Sequence, residues 1–328
     1  MLWSVVALAV LGTVAAGAGT AVVLNRVGRT PRQWAPYLQR RAYEHRPLIV
    51  NSVNLVAWWL NHAGRMAVSR PFPLPTSLGA SPDRSGPVPP GRLRIVNTVQ
   101  EALSAIGSAQ PGDVIQLAPG KYAFPRTVIA RPGSATAPIT LRAARLGDVV
   151  VDATGPETFK MYAPFWHLEN LVMRGVCKYD GDCDNALHIV AGAQHLLIRN
   201  NHFEDFNAAI KINAESGKFP DDGVIEGNSF TASHPRRAPN PITPIDLDVA
   251  SGWDIRDNII TDFVRDWPDH GGATYGAFAK GTGQANVFER NFVACQWKLR
   301  GWPGEQIGLS LGGGGMFPPS LDRDHGRS

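Results

Sequence analysis

The sequence predicts an all-β protein, a right-handed parallel β-helix, and three observations carry that reading. A short motif recurs: apolar, two variable residues, Asn, one variable residue, apolar. It reads IRNNHF ending at Phe203, IEGNSF at Phe230, IRDNII at Ile260 and FERNFV at Val293. Its Asn residues therefore stand at 201, 228, 258 and 291, spaced by 27, 30 and 33. A second strand type precedes each copy: ALHIV, AIKIN, PIDLD and GAFAK, with GLSLG starting one more. The middle residues of the first four, His188, Lys211, Asp246 and Phe278, precede the next Asn by 13, 17, 12 and 13 residues, and the longest gap holds the insertion ESGKFPDDG. Third, the segments between are short, alternating and rich in Gly and Pro, and no helix-length run of 3.6 periodicity interrupts them. Two strand types at a near-constant offset, repeated once per turn, describe the coil of a solenoid.

The elements follow in chain order. Residues 2–24 are apolar apart from Ser4, Thr13, Thr20 and small glycines, long enough to cross a bilayer of about 30 Å. They read as a transmembrane anchor or a signal segment, with Ala16-Gly17-Ala18 as a small-x-small cleavage site. Residues 25–70 read as a basic, amphipathic helical region. Ile49, Val53, Val56 and Leu60 fall at i, i+4, i+7 and i+11, with Trp58 and Trp59 alongside, which predicts an apolar helix face for docking on the main domain or lying on a membrane. Residues 71–91, PFPLPTSLGASPDRSGPVPPG, read as a stiff, extended linker. The β-helix should run over 92–315, and the irregular tail 316–328 neither completes nor caps a coil. That pattern fits a shortened chain or one capped by a partner.

Charge is unevenly placed. Of 32 basic and 28 acidic residues, 11 Arg with Glu44 and Asp83 fall in the first 94, a local +9, which leaves 21 basic and 26 acidic residues, −5, in the remainder. A mildly acidic main domain lacks the basic footprint of a nucleic-acid binder. The 34 Gly and 26 Pro carry no G-X-Y period, which excludes collagen. Three Cys exclude a disulfide-built scaffold and show no zinc spacing. LSLGGGG lacks the Lys-Ser/Thr of a phosphate loop.

The segment TVQEALSAIGSAQPGDVIQLAPGKY, residues 98–122, resembles the opening of the pectate-lyase-like superfamily: a short N-terminal capping helix, then a first coil through GDVIQLAPG. The chain is similar to chondroitinase B and the alginate lyases of polysaccharide lyase family 6, and to exported bacterial β-helix repeat proteins. This resemblance extends over roughly residues 92–315.

In a parallel stack, equivalent residues on adjacent coils lie about 4.8 Å apart, and i, i+2 on one strand about 6.6 Å apart. Two outward columns follow: His188, Lys211, Asp246, Phe278, Ser310, and Val190, Asn213, Asp248, Lys280, Gly312. Asn213, Asp246 and Asp248 form a candidate oxygen-ligand set for Ca²⁺, with Glu215 as a fourth ligand or a solvated group. Family 6 lyases place an Asn on one coil and two acids on the next, with Lys and Arg nearby. By that resemblance calcium neutralises the uronate carboxylate, a Lys removes the C5 proton, and the 4-linked oxygen leaves by β-elimination. Lys280 is then the candidate base and Lys211 a catalytic or substrate-binding cation, while His188 and Phe278 contact substrate. The acids here are Asp rather than Glu, and Lys280 stands where the family more often carries Arg. A carboxylate beside Lys280 stabilises its charged form, which opposes action as a base unless a bound cation reverses the local sign. His270 and Tyr275, in and after WPDHGG (267–272), are the alternative acid–base pair overhanging the cleft. PDDG (220–223) lacks the partners of an inverting hydrolase. With no metal, Lys211–Asp246 and Asp248–Lys280 read as ion pairs between coils.

Cys177 and Cys183 bracket KYDGD, a loop short enough for a local disulfide, which points to an oxidising compartment. Cys295 reads as a buried apolar side chain. The Arg flank after residue 24 points the other way, because the positive-inside rule holds such a flank in the cytoplasm. The expectation is an exported, membrane-anchored or periplasmic polysaccharide lyase acting on an acidic polysaccharide with Ca²⁺. A C5-epimerase on the same substrates and a non-catalytic glycan-binding or envelope scaffold are the alternatives.

Overall fold

The computed structural model describes residues 31–42, 45–66, 73–267, 273–302 and 304–312. The apolar stretch 2–24, His270 and the tail 316–328 lie outside them. The chain divides into two compact units, Met1–Pro71 with Arg300–Glu305, and Phe72–Leu299 with Gln306–Ser328.

In the first unit, helix α1 (Pro31–Ala42) packs against helix α2 (Pro47–Met66). Ala35, Ala57 and Leu60 are buried between them, with Trp34 and Leu38 alongside. The buried face of α2 is not the expected stripe. Leu60 is inside, but Ile49 and Val56 are 44% and 47% exposed. Small Ala57 and Ala35 let the helices approach closely, and periodicity weighted by large apolar residues passes over such a contact. No helix among the described residues is long and apolar enough to cross a membrane.

The second unit is a parallel β-solenoid. Among the described residues its strands form three sheets of eight, seven and seven, and in each sheet neighbours come from successive coils. Registers stack like on like: Leu187, Ile210, Ile245 and Ala277 in one inner column, Ile198, Ile225 and Ile255 in another, Phe203, Phe230 and Ile260 in a third. All ten are buried in one core, and the Phe203 and Phe230 rings stack with centroids 4.9 Å apart. Helix α3 (Val99–Gly107) starts where expected. Thr98 accepts from the Glu101 N–H at 3.1 Å, and Ala102, Ala105 and Ile106 join the same core.

The repeated Asn residues form an amide ladder. Nδ2 of Asn201, Asn228 and Asn258 donates to Oδ1 of the next Asn at 3.2, 3.1 and 2.9 Å. The same Oδ1 atoms accept backbone N–H groups one coil back, so each buried amide satisfies several turn groups. Asn170, in HLENLV (167–172), resembles the motif loosely but does not join this ladder. It stands one residue earlier, bonded to Asn200 at 2.8 Å, and Leu171 takes the ladder position. Asn170, Asn200, Gly227, Asp257 and Arg290 all have φ between +51° and +62°. Asn, Asp and Gly favour this left-handed turn, so this turn column, Asn at 170 and 200 only, runs beside the ladder and spacing alone does not separate the two.

Residues 73–91 are a strap, not a linker. The chain runs along the turns from late coils to early ones. Gly79 N donates to Asp257 O at 2.8 Å, Ser81 N to Asn200 Oδ1 at 2.8 Å, and the Ser85 hydroxyl accepts from Leu146 N at 2.9 Å. Arg142, fully buried, donates to Gly86 O at 2.8 Å. Gly79 has φ +73°, and a Cβ there would stand 2.7 Å from Ile259 Cδ1, so only glycine lets the strap approach this closely. Pro, Ser and Gly composition reads as unpartnered chain; it does not reveal that the turn columns offer partners for its backbone.

Candidate functional site

The site lies on the outward face of one seven-stranded sheet, on the strands Glu157–Met161, Asn185–Val190, Ile210–Asn213, Ile245–Asp248 and Thr274–Lys280. Strict alternation turns Ile210, Ile245 and Ala277 inward and Lys211, Asp246 and Phe278 outward, as expected. The first column is Lys160, His188, Lys211, Asp246, Phe278 and Ser310. The second is Val190, Asn213, Asp248 and Lys280.

Asp246 is clamped by two ammonium groups. Lys211 Nζ bonds its Oδ2, and Lys280 Nζ lies 2.9 Å from Oδ1 and 3.1 Å from Oδ2. The Lys280 pairing differs from the direct Asp248–Lys280 pair that the columns predict. The long side chain instead crosses the ring of Phe278, Nζ 5.4 Å from its centroid, and reaches diagonally one coil back. Asp248 is buried on the same face. Tyr275 is on the strand itself, not in an overhanging loop, and stacks on Phe278 at 4.5 Å.

His188 carries the second cluster. Its Nδ1 bonds Glu157 Oε1, and its Nε2 lies 2.8 Å from Asn213 Oδ1. Arg126 Nε donates to the other Glu157 oxygen at 2.7 Å. Burial works to raise the Glu157 carboxyl, but the hydrogen bonds from Arg126 and His188 outweigh it and hold the group below its ordinary range. Glu157 therefore holds Nδ1 while Asn213 Oδ1 accepts from Nε2, its amide turned by the Nδ2 donation to Ala214 O, so both ring nitrogens face acceptors. Asp184, just ahead of the His188 strand, is raised by burial, against the opposing Asn207 hydrogen bond and the Lys211 and His188 charges. Glu215 accepts from Tyr162 at 3.1 Å and Lys160 at 3.4 Å.

Sequence reasoning missed Arg126, Glu157 and Asp184. ETFKM alternates like the later site strands, but its coil carries only the loose copy HLENLV, with Leu171 at the ladder position, so the offset from the ladder Asn that marks the later site strands does not reach it. Cys177 and Cys183 are disulfide-bonded, Cα–Cα 5.6 Å. Cys295 is partly rather than fully buried.

The donor set Asn213, Asp246 and Asp248 does not fit a divalent cation as arranged. Both Asp246 oxygens face ammonium groups and Asn213 Oδ1 faces His188. A cation here would have to displace two positive charges. No cluster of three or more His, Cys, Asp or Glu suited to a metal occurs among the described residues.

No protein-family model and no curated protein matches the chain. Solved structures do. An alginate lyase from Paenibacillus sp. str. FPU-7 is 16% identical at TM-score 0.40, over 68% of this chain and 99% of that one. Pectate lyase Pel9A is 14% identical at TM-score 0.40, over 64% of this chain and 53% of that one. A family 6 polysaccharide lyase from Pseudopedobacter saltans is 16% identical at TM-score 0.36, over 66% of this chain and 60% of that one. The match thus spans little more than half the length of the latter two.

Proposed function

We propose that this protein is a polysaccharide lyase that cleaves a uronic-acid-containing polysaccharide by β-elimination. The observation that carries the reading is the meeting, on one sheet face, of the Asp246-held Lys211 and Lys280 with the Glu157-oriented His188. β-Elimination needs a cation against the uronate carboxylate, a base for the C5 proton and an acid for the departing oxygen. Lys211 and Lys280, both paired with Asp246, suit the first task. His188 Nε2, on leaving Asn213 Oδ1 to meet the substrate with its lone pair, is the base in place of Lys280. It takes the C5 proton, the C4–O4 bond breaks with its electron pair leaving on oxygen, and the C4=C5 double bond forms. Asp184, held above the usual carboxylate range by burial, returns a proton to the oxygen. Tyr275 and Phe278 offer an apolar platform for a sugar ring.

In this reading the lysines do the work expected of Ca²⁺. Activity should survive chelation, and its loss in a chelator with recovery on added Ca²⁺ would return the metal to the site. The Cys177–Cys183 bridge supports an exported module. Protease added to spheroplasts should then digest the solenoid, and full protection would place it inside. The direct test of the reaction is a screen of alginate, pectate and glycosaminoglycans for the absorbance of an unsaturated uronate. Proton exchange at C5 without cleavage would make the protein an epimerase.

A further inference from the structure

Helix α2 is apolar on more than one side. One face meets α1 through Ala57 and Leu60. A second carries Leu48, Leu55 and Trp59 at i, i+7 and i+11, flanked by Ile49 and Val56, and these five are between 44% and 80% exposed. An isolated exposed leucine needs no explanation, but five large apolar side chains on one helix face do. Two features of the sequence say what covers them. Between residues 26 and 46 the chain carries six Arg against a single acid, Glu44. Immediately upstream lies the apolar stretch 2–24. A basic flank next to an exposed apolar helix face is the chemistry of an anionic bilayer surface, where arginines meet lipid phosphates and leucine and tryptophan enter the acyl boundary. No described helix can cross a membrane, so α2 would lie along the surface.

We propose that α2 is an interfacial membrane helix that lays Leu48, Leu55 and Trp59 into an anionic bilayer, a contact separate from the apolar stretch 2–24. The proposal does not depend on the lyase reading. The test uses the full chain in two backgrounds, wild type and one with Val10→Arg and Val14→Arg, which stops the upstream stretch from anchoring the protein on its own. Each is floated with phosphatidylcholine vesicles containing about one third phosphatidylglycerol, and with phosphatidylcholine alone. In the Val10→Arg, Val14→Arg background we expect flotation with the anionic vesicles only, weakened by salt. Adding Leu55→Glu and Trp59→Glu should lower it at least tenfold, while circular dichroism and the Cys177–Cys183 bridge stay unchanged. Flotation unaffected by those two substitutions overturns the proposal. So does a vesicle-independent dimer that they dissociate, since the face would then belong to a second copy.

Discussion

His188 is the residue on which the proposed chemistry turns: Glu157 holds its Nδ1, and its Nε2, which rests against Asn213 Oδ1, is the nitrogen a substrate would meet. His188→Ala should lower kcat by about 10²–10⁴-fold, the usual worth of a positioned base, with little change in KM. Lys280→Ala should mainly raise KM for the polyanion, since it removes a charge met by the ground-state carboxylate as well as the transition state. Kinetics on a uronate polymer separate the two, and a collapse of kcat in Lys280→Ala with normal His188→Ala turnover would restore Lys280 as the base. A different histidine sets an acid limit on stability. Burial, with the Arg199 charge adding to it, lowers the His167 pKa from 6.5 to about 4. Between those values the unfolded chain binds the proton and the folded one does not, so stability falls as pH drops from 6.5 towards 4. Its size is at most about 3 kcal/mol. Denaturant titrations across that window should show the slope, and His167→Gln should flatten it.

At the scale of the element, the Asn ladder sets the turn of every later coil. Asn228 is fully buried and donates to Ile198 O at 2.9 Å while its Oδ1 accepts from Asn201 N at 2.9 Å. Asn228→Ala should cost about 2–4 kcal/mol, because it leaves buried backbone groups unpaired, and a melting curve measures it. A second regular feature lies on the eight-stranded sheet. Arg142, Glu169, Arg199, Glu226, Arg256 and Glu289 alternate in sign up the stack, and like charges in that register would repel. The repeat and its offset were legible in the sequence because coil packing demands identical residues at identical positions. The strap of residues 73–91 was not legible, because its bonds run from backbone and small polar groups to turns up to 178 residues away. Glu157 was missed for a related reason, since its coil breaks the ladder at Leu171. The α2 contact was hidden by alanine, which contributes little to an apolar stripe yet permits close packing.

For the whole molecule, stability and chemistry are drawn from the same stack. Inner columns bury Ile, Leu and Phe, turn columns hold Asn, and one outer face gathers residues from five coils, as far as 123 positions apart from Glu157 to Lys280. Nothing short of the correct coil register brings His188, Lys211 and Lys280 together, which is why the outward columns could be written from sequence while their hydrogen-bond partners could not. The most direct test is the absorbance of the unsaturated uronate on alginate, pectate and glycosaminoglycans, read for wild type and His188→Ala with and without chelator. Wild type should give a rise on at least one polymer, undiminished by chelator and absent in His188→Ala. No rise on any polymer with or without added Ca²⁺, and no exchange at C5, would contradict the lyase reading and leave the sheet face as a set of ion pairs.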